Sequence, residues 1–79
     1  MPLYRIRLIN SEFESCDEST YPSQELATAS AIAGATRIVS DSITDGTPAA
    51  AIEIQIHAGE TMVARKVVTL SVADLSGSL

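Results

Sequence analysis

The stretch Ile52-Glu53-Ile54-Gln55-Ile56-His57 alternates apolar and polar residues without a break. Successive side chains of a strand point to opposite faces, so this pattern predicts a strand with one face buried and the other in water. It decides the fold and carries no chemistry. No other segment supplies a catalytic constellation, a metal-ligand spacing or a phosphate loop, so the sequence speaks to architecture before function.

Working outward toward the C-terminus, Ala58-Gly59-Glu60 reads as a turn and Thr61 to about Val72 as the returning strand of a hairpin. In that strand Met62, Ala64, Val68, Leu70 and Val72 share one parity, but Lys66 interrupts it and Val63 and Val67 fall on the other. A bulge near Arg65-Lys66 reconciles these, because one extra residue changes which side chains face inward. Residues 1–73 read as one small domain and 74–79 as a loose tail.

Toward the N-terminus, Asp45-Gly46 followed by Pro48 is a helix stop: glycine takes the left-handed cap and proline cannot continue the helix. The helix itself is expected from Leu26 to about Ile43. Pro22-Ser23 opens it, with Ser23 placed to accept from free amides of the first turn and Glu25 placed where the helix dipole favours negative charge. Ala29, Ile32, Thr36, Val39 and Ile43 recur at threes and fours and form the expected buried stripe, opposite Arg37 and Asp41. Gly34 within it either permits close approach to a sheet or is tolerated at about 1 kcal/mol against alanine. Before the helix, Leu3 to Ile9 alternates, with Tyr4, Ile6 and Leu8 on one face and Arg5 and Arg7 on the other. Asn10-Ser11-Glu12 then turns the chain, Phe13-Glu14-Ser15 returns as a short second strand anchored by Phe13, and Cys16 to Thr20 reads as a polar loop.

The order strand, strand, helix, strand, strand (ββαββ) predicts an α+β domain. Two hairpins flanking one amphipathic helix are satisfied by a four-stranded, mainly antiparallel sheet with the helix packed on one face. The opposite face then carries Arg5, Arg7, Glu53, Gln55 and His57, with Arg65 or Lys66 joining them according to where the bulge falls.

These landmarks resemble a family of small uncharacterised bacterial proteins, a domain-of-unknown-function family. The residues that carry the likeness are Met1-Pro2-Leu3-Tyr4, Asp17-Glu18, Pro22-Ser23, the helix from Leu26, and the strands around Ile54 and Leu70. Ser19 stands where the family often has glycine, and Leu70 where its last strand typically has an aromatic residue. The resemblance covers nearly the whole chain. It implies the fold and a soluble bacterial setting and transfers no functional residue.

Seventy-nine residues make a domain that buries only ~60% of the surface its unfolded chain exposes. The hydrophobic fraction of 46% is rich in alanine and aromatics are 4%, so few large side chains are available to fill a core. Crude accounting gives such a core ~3–5 kcal/mol, and small domains add disulfides, metals or association. One Cys excludes an internal disulfide and no Cys/His cluster suggests zinc, which leaves a homodimer as the expected staple. The formal net charge of −5 opposes nonspecific attraction to nucleic acid or an anionic bilayer. No apolar stretch reaches the ~20 residues of a membrane helix and none follows a signal-peptide pattern, so the expected setting is cytoplasmic.

Each residue with chemical potential has a plain structural reading. His57 falls on the polar face at a strand end, and catalysis would need Ser71, Thr69 or Glu53 brought to it by the fold. Cys16 precedes an acidic pair that disfavours a thiolate, so it reads as a passive, half-buried thiol. Glu12, Glu14, Asp17 and Glu18 lack the ligand alternation and central glycine of a calcium loop and read as a solvated acidic rim. Arg5, Arg7, Arg65 and Lys66 form a small basic patch if the first and last strands are adjacent. Without exposed aromatics for base stacking, they are expected to pair with Glu53 or with a second subunit rather than bind nucleic acid. Gly59 alone cannot cradle phosphate. No catalytic, metal or cofactor residue is assigned.

The function expected is a non-enzymatic protein-interaction module, homodimeric, using its open sheet face or an edge strand, with Arg5, Arg7, Glu53, Gln55, His57 and Arg65 as the interaction face. A regulatory, antitoxin-like adaptor that binds a basic protein is the alternative. A small-ligand binder or enzyme at a subunit seam, with His57 and Glu53 lining it, ranks third.

Overall fold

The computed structural model describes residues 1–75. Four strands and one helix follow in the order β1 (Leu3–Ile9), β2 (Glu14–Thr20), α1 (Gln24–Thr44), β3 (Ala49–Ala58) and β4 (Thr61–Ser71). The strands form one antiparallel sheet in the spatial order β2-β1-β3-β4. The α+β fold expected from the sequence is the fold observed. Of the expected tail, Asp74 and Leu75 carry no secondary structure, and residues 76–79 lie outside the described residues.

The deciding stretch does what its alternation requires. Ile52, Ile54 and Ile56 point under the helix and are at most 1% exposed. Tyr4 joins them from β1, with Ile6 and Leu8 partly buried beside it. Four small helix residues close the core from above: Ala27, Ala31, Ala35 and Val39. Such short side chains let the helix backbone sit close to the sheet, so three isoleucines fill most of the space between the layers.

The buried stripe is therefore not the one expected. Of Ala29, Ile32, Thr36, Val39 and Ile43, only Val39 is buried. The helix turns its alanine row to the sheet instead. Ala29 and Ile32 lie further round, on the flank above β4, and Thr36 follows one turn on along the same side. Counting apolar residues favoured the wider side chains, whereas close packing on a flat sheet favours the narrowest row. Gly34 faces Leu8, where an added Cβ would meet Leu8 Cδ1 at 4.0 Å, an ordinary contact, so this glycine is tolerated rather than required.

Helix ends follow local chemistry. Ser23 Oγ accepts from the Leu26 N–H at 3.2 Å, which satisfies a first-turn donor. At the other end Gly46 has φ +106. Its N–H donates to the Ile43 carbonyl, and the Thr47 N–H reaches back to Ser42. This pair of bonds is a Schellman cap, which needs the left-handed residue glycine supplies.

Two strand expectations are corrected. Cys16 to Thr20 is not a loop but continues β2, paired from Leu3↔Thr20 to Ile9↔Glu14. Phe13 lies outside the strand, in the turn where Asn10 Oδ1 accepts from the Glu12 and Phe13 N–H groups. The sequence ESCDEST has no alternation because β2 is an edge strand that the helix does not cover. Backbone pairing with β1 makes the strand, and nothing on either face selects apolar residues. The bulge in β4 lies at Val63, not at Arg65-Lys66: Ile56 pairs with Ala64 and His57 with Met62, which leaves Val63 as the extra residue. Met62 therefore turns to the open face and Lys66 to the helix side.

Candidate functional site: the open sheet face

Among the described residues nothing covers the sheet face opposite α1. The register sets its side chains in rows that cross all four strands. Glu18, Arg5, His57 and Met62 form one row; Cys16, Arg7, Gln55 and Arg65 form the next; Glu14, Ile9, Glu53 and Val67 form the third. All six residues expected on this face lie on it.

A hydrogen-bonded chain links the last two rows. Arg7 pairs with Glu14 on β2 and donates to Gln55 Oε1 at 3.1 Å. The Gln55 amide donates to Glu53 Oε2 at 2.7 Å, and Arg65 Nε donates to the same oxygen at 2.7 Å. Glu14, Arg7, Gln55, Glu53 and Arg65 thus form one polar network from edge to edge of the sheet. The guanidinium of Arg65, then the Gln55 amide, holds the Glu53 carboxyl below the ordinary glutamate range, and Glu53 in turn raises Arg65. Apolar side chains flank the network: Leu3, Met62 and Val67 are each substantially exposed. This is a surface of mixed charge with apolar margins, a composition found at polar protein interfaces.

The individual candidates fall as follows. His57 sits between Arg5 and Met62, and its Nδ1 is shielded from solvent without a hydrogen-bond partner among the described residues. Thr69 and Ser71 pair with Ala51 and Ala49, about 20 Å or more along β3 from His57 at the rise of a strand. Glu53 is about 13 Å away by the same measure and is engaged by Arg65. None of the three residues expected beside the imidazole, Thr69, Ser71 and Glu53, is brought to it. Cys16 is exposed, not half-buried, because among the described residues no layer covers β2 on either side.

The basic patch conditional on β1 and β4 being neighbours does not form, since β3 lies between them. Gln55 separates Arg7 from Arg65, and Glu53 pairs with Arg65 across the β3–β4 ladder, as the cross-strand reading expected. The acidic rim is also divided. Glu14 and Glu18 belong to the open face and Asp17 to the helix side, while Glu12 stays in the turn.

One residue was placed differently from the sequence reading and one was not singled out by it. Lys66 projects into a shallow groove between α1 and β4, beside Ala29, Ile32, Ala64 and Glu25. Gln24 donates to the carbonyl of Val63 at 3.3 Å. The parity break at Lys66 was the available signal, and only a correctly placed bulge would have used it.

No protein-family model matches the chain, and no curated protein or solved structure matches it. Among the described residues no group of three or more His, Cys, Asp or Glu side chains is arranged to hold a metal ion, and no helix is long and apolar enough to cross a membrane.

Proposed function

We propose that this protein is a non-enzymatic protein-interaction module that works as a homodimer, in a bacterial cytoplasm, with its contact surface drawn from the uncovered parts of the sheet. The observation that carries this reading is the incompletely covered sheet, which among the described residues has a layer on one face only and free edges at β2 and β4. Arg5, Arg7, Glu53, Gln55, His57 and Arg65 lie side by side on a surface that no other described residues cover, and a network through Arg7, Gln55, Glu53 and Arg65 holds polar groups in place. A thin core of three isoleucines under a row of alanines supports the same reading, because a second subunit adds the burial that so short a chain lacks. The resemblance to the small bacterial family belongs to this proposal as its setting. The test is the solution mass of the purified chain by light scattering, from low to high micromolar concentration. A dimer at the upper end supports the reading, and a strict monomer throughout removes its homodimer part.

One observation favours the adaptor reading as a second. β2 extends through Thr20 as a free edge that carries Glu14, Asp17 and Glu18, all exposed. An extended basic segment could add to that edge as a further strand, with main-chain bonds for affinity and carboxylates for selection. An alternating lysine–threonine peptide is the probe. Shifts of β2 amide resonances that vanish in moderate salt support this reading, and unshifted β2 resonances count against it.

A further inference from the structure

The helix side of the molecule leaves apolar residues unused. Ala29 and Ile32 lie on the β4 flank of α1, Thr36 follows one turn on along the same side of the helix, and Ile32 is 38% exposed. Below them β4 is an edge strand of the sheet. The Val72 N–H donates to the Pro48 carbonyl at 2.9 Å, and Ser71 pairs with Ala49. Bonds alternate along an antiparallel ladder, so Val72, Leu70 and Val68 direct their backbone groups to β3, while Ser71, Thr69 and Val67 direct theirs to the free edge.

Free edges are usually blunted by charge, proline or a bulge. In β4 the bulge at Val63 and the charges of Arg65 and Lys66 blunt only the first half. The second half, Val67-Val68-Thr69-Leu70-Ser71, has no charge and no proline. β2 differs, since its carboxylates run along the whole strand.

We propose that a second copy of this chain pairs antiparallel along Arg65–Ser71 of β4, across a two-fold axis at Val68. The two sheets then become one continuous sheet, and the two α1 helices face each other above the seam through Ala29, Ile32 and Thr36. The proposal deepens the homodimer reading and rests on it. A copy is the occupant because two-fold antiparallel pairing sets a segment against itself, and this segment is complementary to itself. Val68 meets the partner's Val68, Lys66 falls opposite the partner's Leu70, and Arg65 falls opposite the partner's Ser71, so no like charges face each other. The same operation on β2 would set carboxylate-bearing strands together, which like charges oppose. The helix lies over β3 and β4. With strands ~4.8 Å apart, the axis at the β4 edge leaves the two helices about 10–14 Å apart, close enough for side chains such as Ile32 to approach across the seam.

The test is light scattering of the full chain and two variants, with circular dichroism as the check on folding. In Thr69→Pro the lost N–H is one that points to the free edge, so the seam loses a donor while the β3 ladder keeps its own. Ile32→Glu puts a charge into the apolar flank of each helix at an exposed position. The wild type is expected as a dimer at high micromolar concentration, with both variants folded and weakened at least about tenfold in association. If Thr69→Pro loses its fold, Ile32→Glu decides. A dimer that survives in the folded variants overturns the β4 seam. If that dimer is lost in Arg7→Glu/Arg65→Glu, the homodimer reading stands with its seam on the open face. A wild-type monomer overturns both, and masses beyond two copies overturn the closed two-fold.

Discussion

The side-chain amide of Gln24, in the first turn of α1, donates to the carbonyl of Val63, the extra residue of the β4 bulge, at 3.3 Å. A bulge frees backbone groups from the ladder, and here the helix takes up one of them, fixing the entry of the edge strand to the N-terminus of α1. Gln24→Ala is expected to cost about 1 kcal/mol, the ordinary worth of one such bond. Urea unfolding measures the loss, and faster amide exchange from Met62 to Ala64 locates it.

Gly34 is expected to be improvable. Its added Cβ would stand 4.0 Å from Leu8 Cδ1, so Gly34→Ala gains helix propensity without a clash and is expected to stabilise by about 0.5–1 kcal/mol. Gly59, with φ +62, gives the opposite outcome: alanine there strains the β3–β4 turn and lowers the melting temperature. Thermal melts of the two variants side by side show both signs.

The core depends on few side chains. Ile54 is fully buried at the centre of β3, and Ile54→Ala removes contacts that short helix residues cannot replace by moving inward. The expected cost is about 2–5 kcal/mol, comparable to the ~3–5 kcal/mol that a core of this size supplies. The variant is expected to be largely unfolded by circular dichroism at room temperature, while Val67→Ala, on the exposed face, is expected to keep its fold.

Much of this architecture was legible because local chemistry and tertiary placement agree. Ile52 to Ile56 alternate because one face is covered, Ser23 caps because the first turn needs an acceptor, and Gly46 ends the helix because the cap is left-handed. Where the two levels separate, the reading failed. β2 shows no alternation since among the described residues neither of its faces is covered, and only its ladder with β1 makes it a strand. The alanine row of α1 lies inward because close approach outweighs side-chain size. Lys66 breaks parity on a strand whose bulge sits at Val63, a place that no residue type marks. Of the candidate site, face membership followed from the period of two. The network through Arg7, Gln55 and Glu53 required the strand order, which the period does not contain.

Acid sensitivity follows from Glu53. Arg65, then Gln55, holds its carboxyl below the ordinary glutamate range, so the folded chain binds this proton less readily than the unfolded chain. That contribution is present in full above the unfolded glutamate value and disappears as pH falls through the lower folded value. Glu53→Gln is therefore expected to be less stable than wild type at neutral pH, with the difference vanishing in acid and shrinking with salt. Urea midpoints across pH measure it, and a difference that widens in acid contradicts the assignment.

The central claim is that a second copy completes this thin domain, and site-resolved amide hydrogen exchange along β4 tests it most directly. The amides of Val68 and Leu70 are bonded to β3 and are expected to be protected at every concentration. Those of Val67, Thr69 and Ser71 face the free edge; the account predicts that they are protected at high concentration and lose that protection on dilution. Exchange at unprotected rates for these three at high concentration, with Val68 and Leu70 still protected, would contradict it.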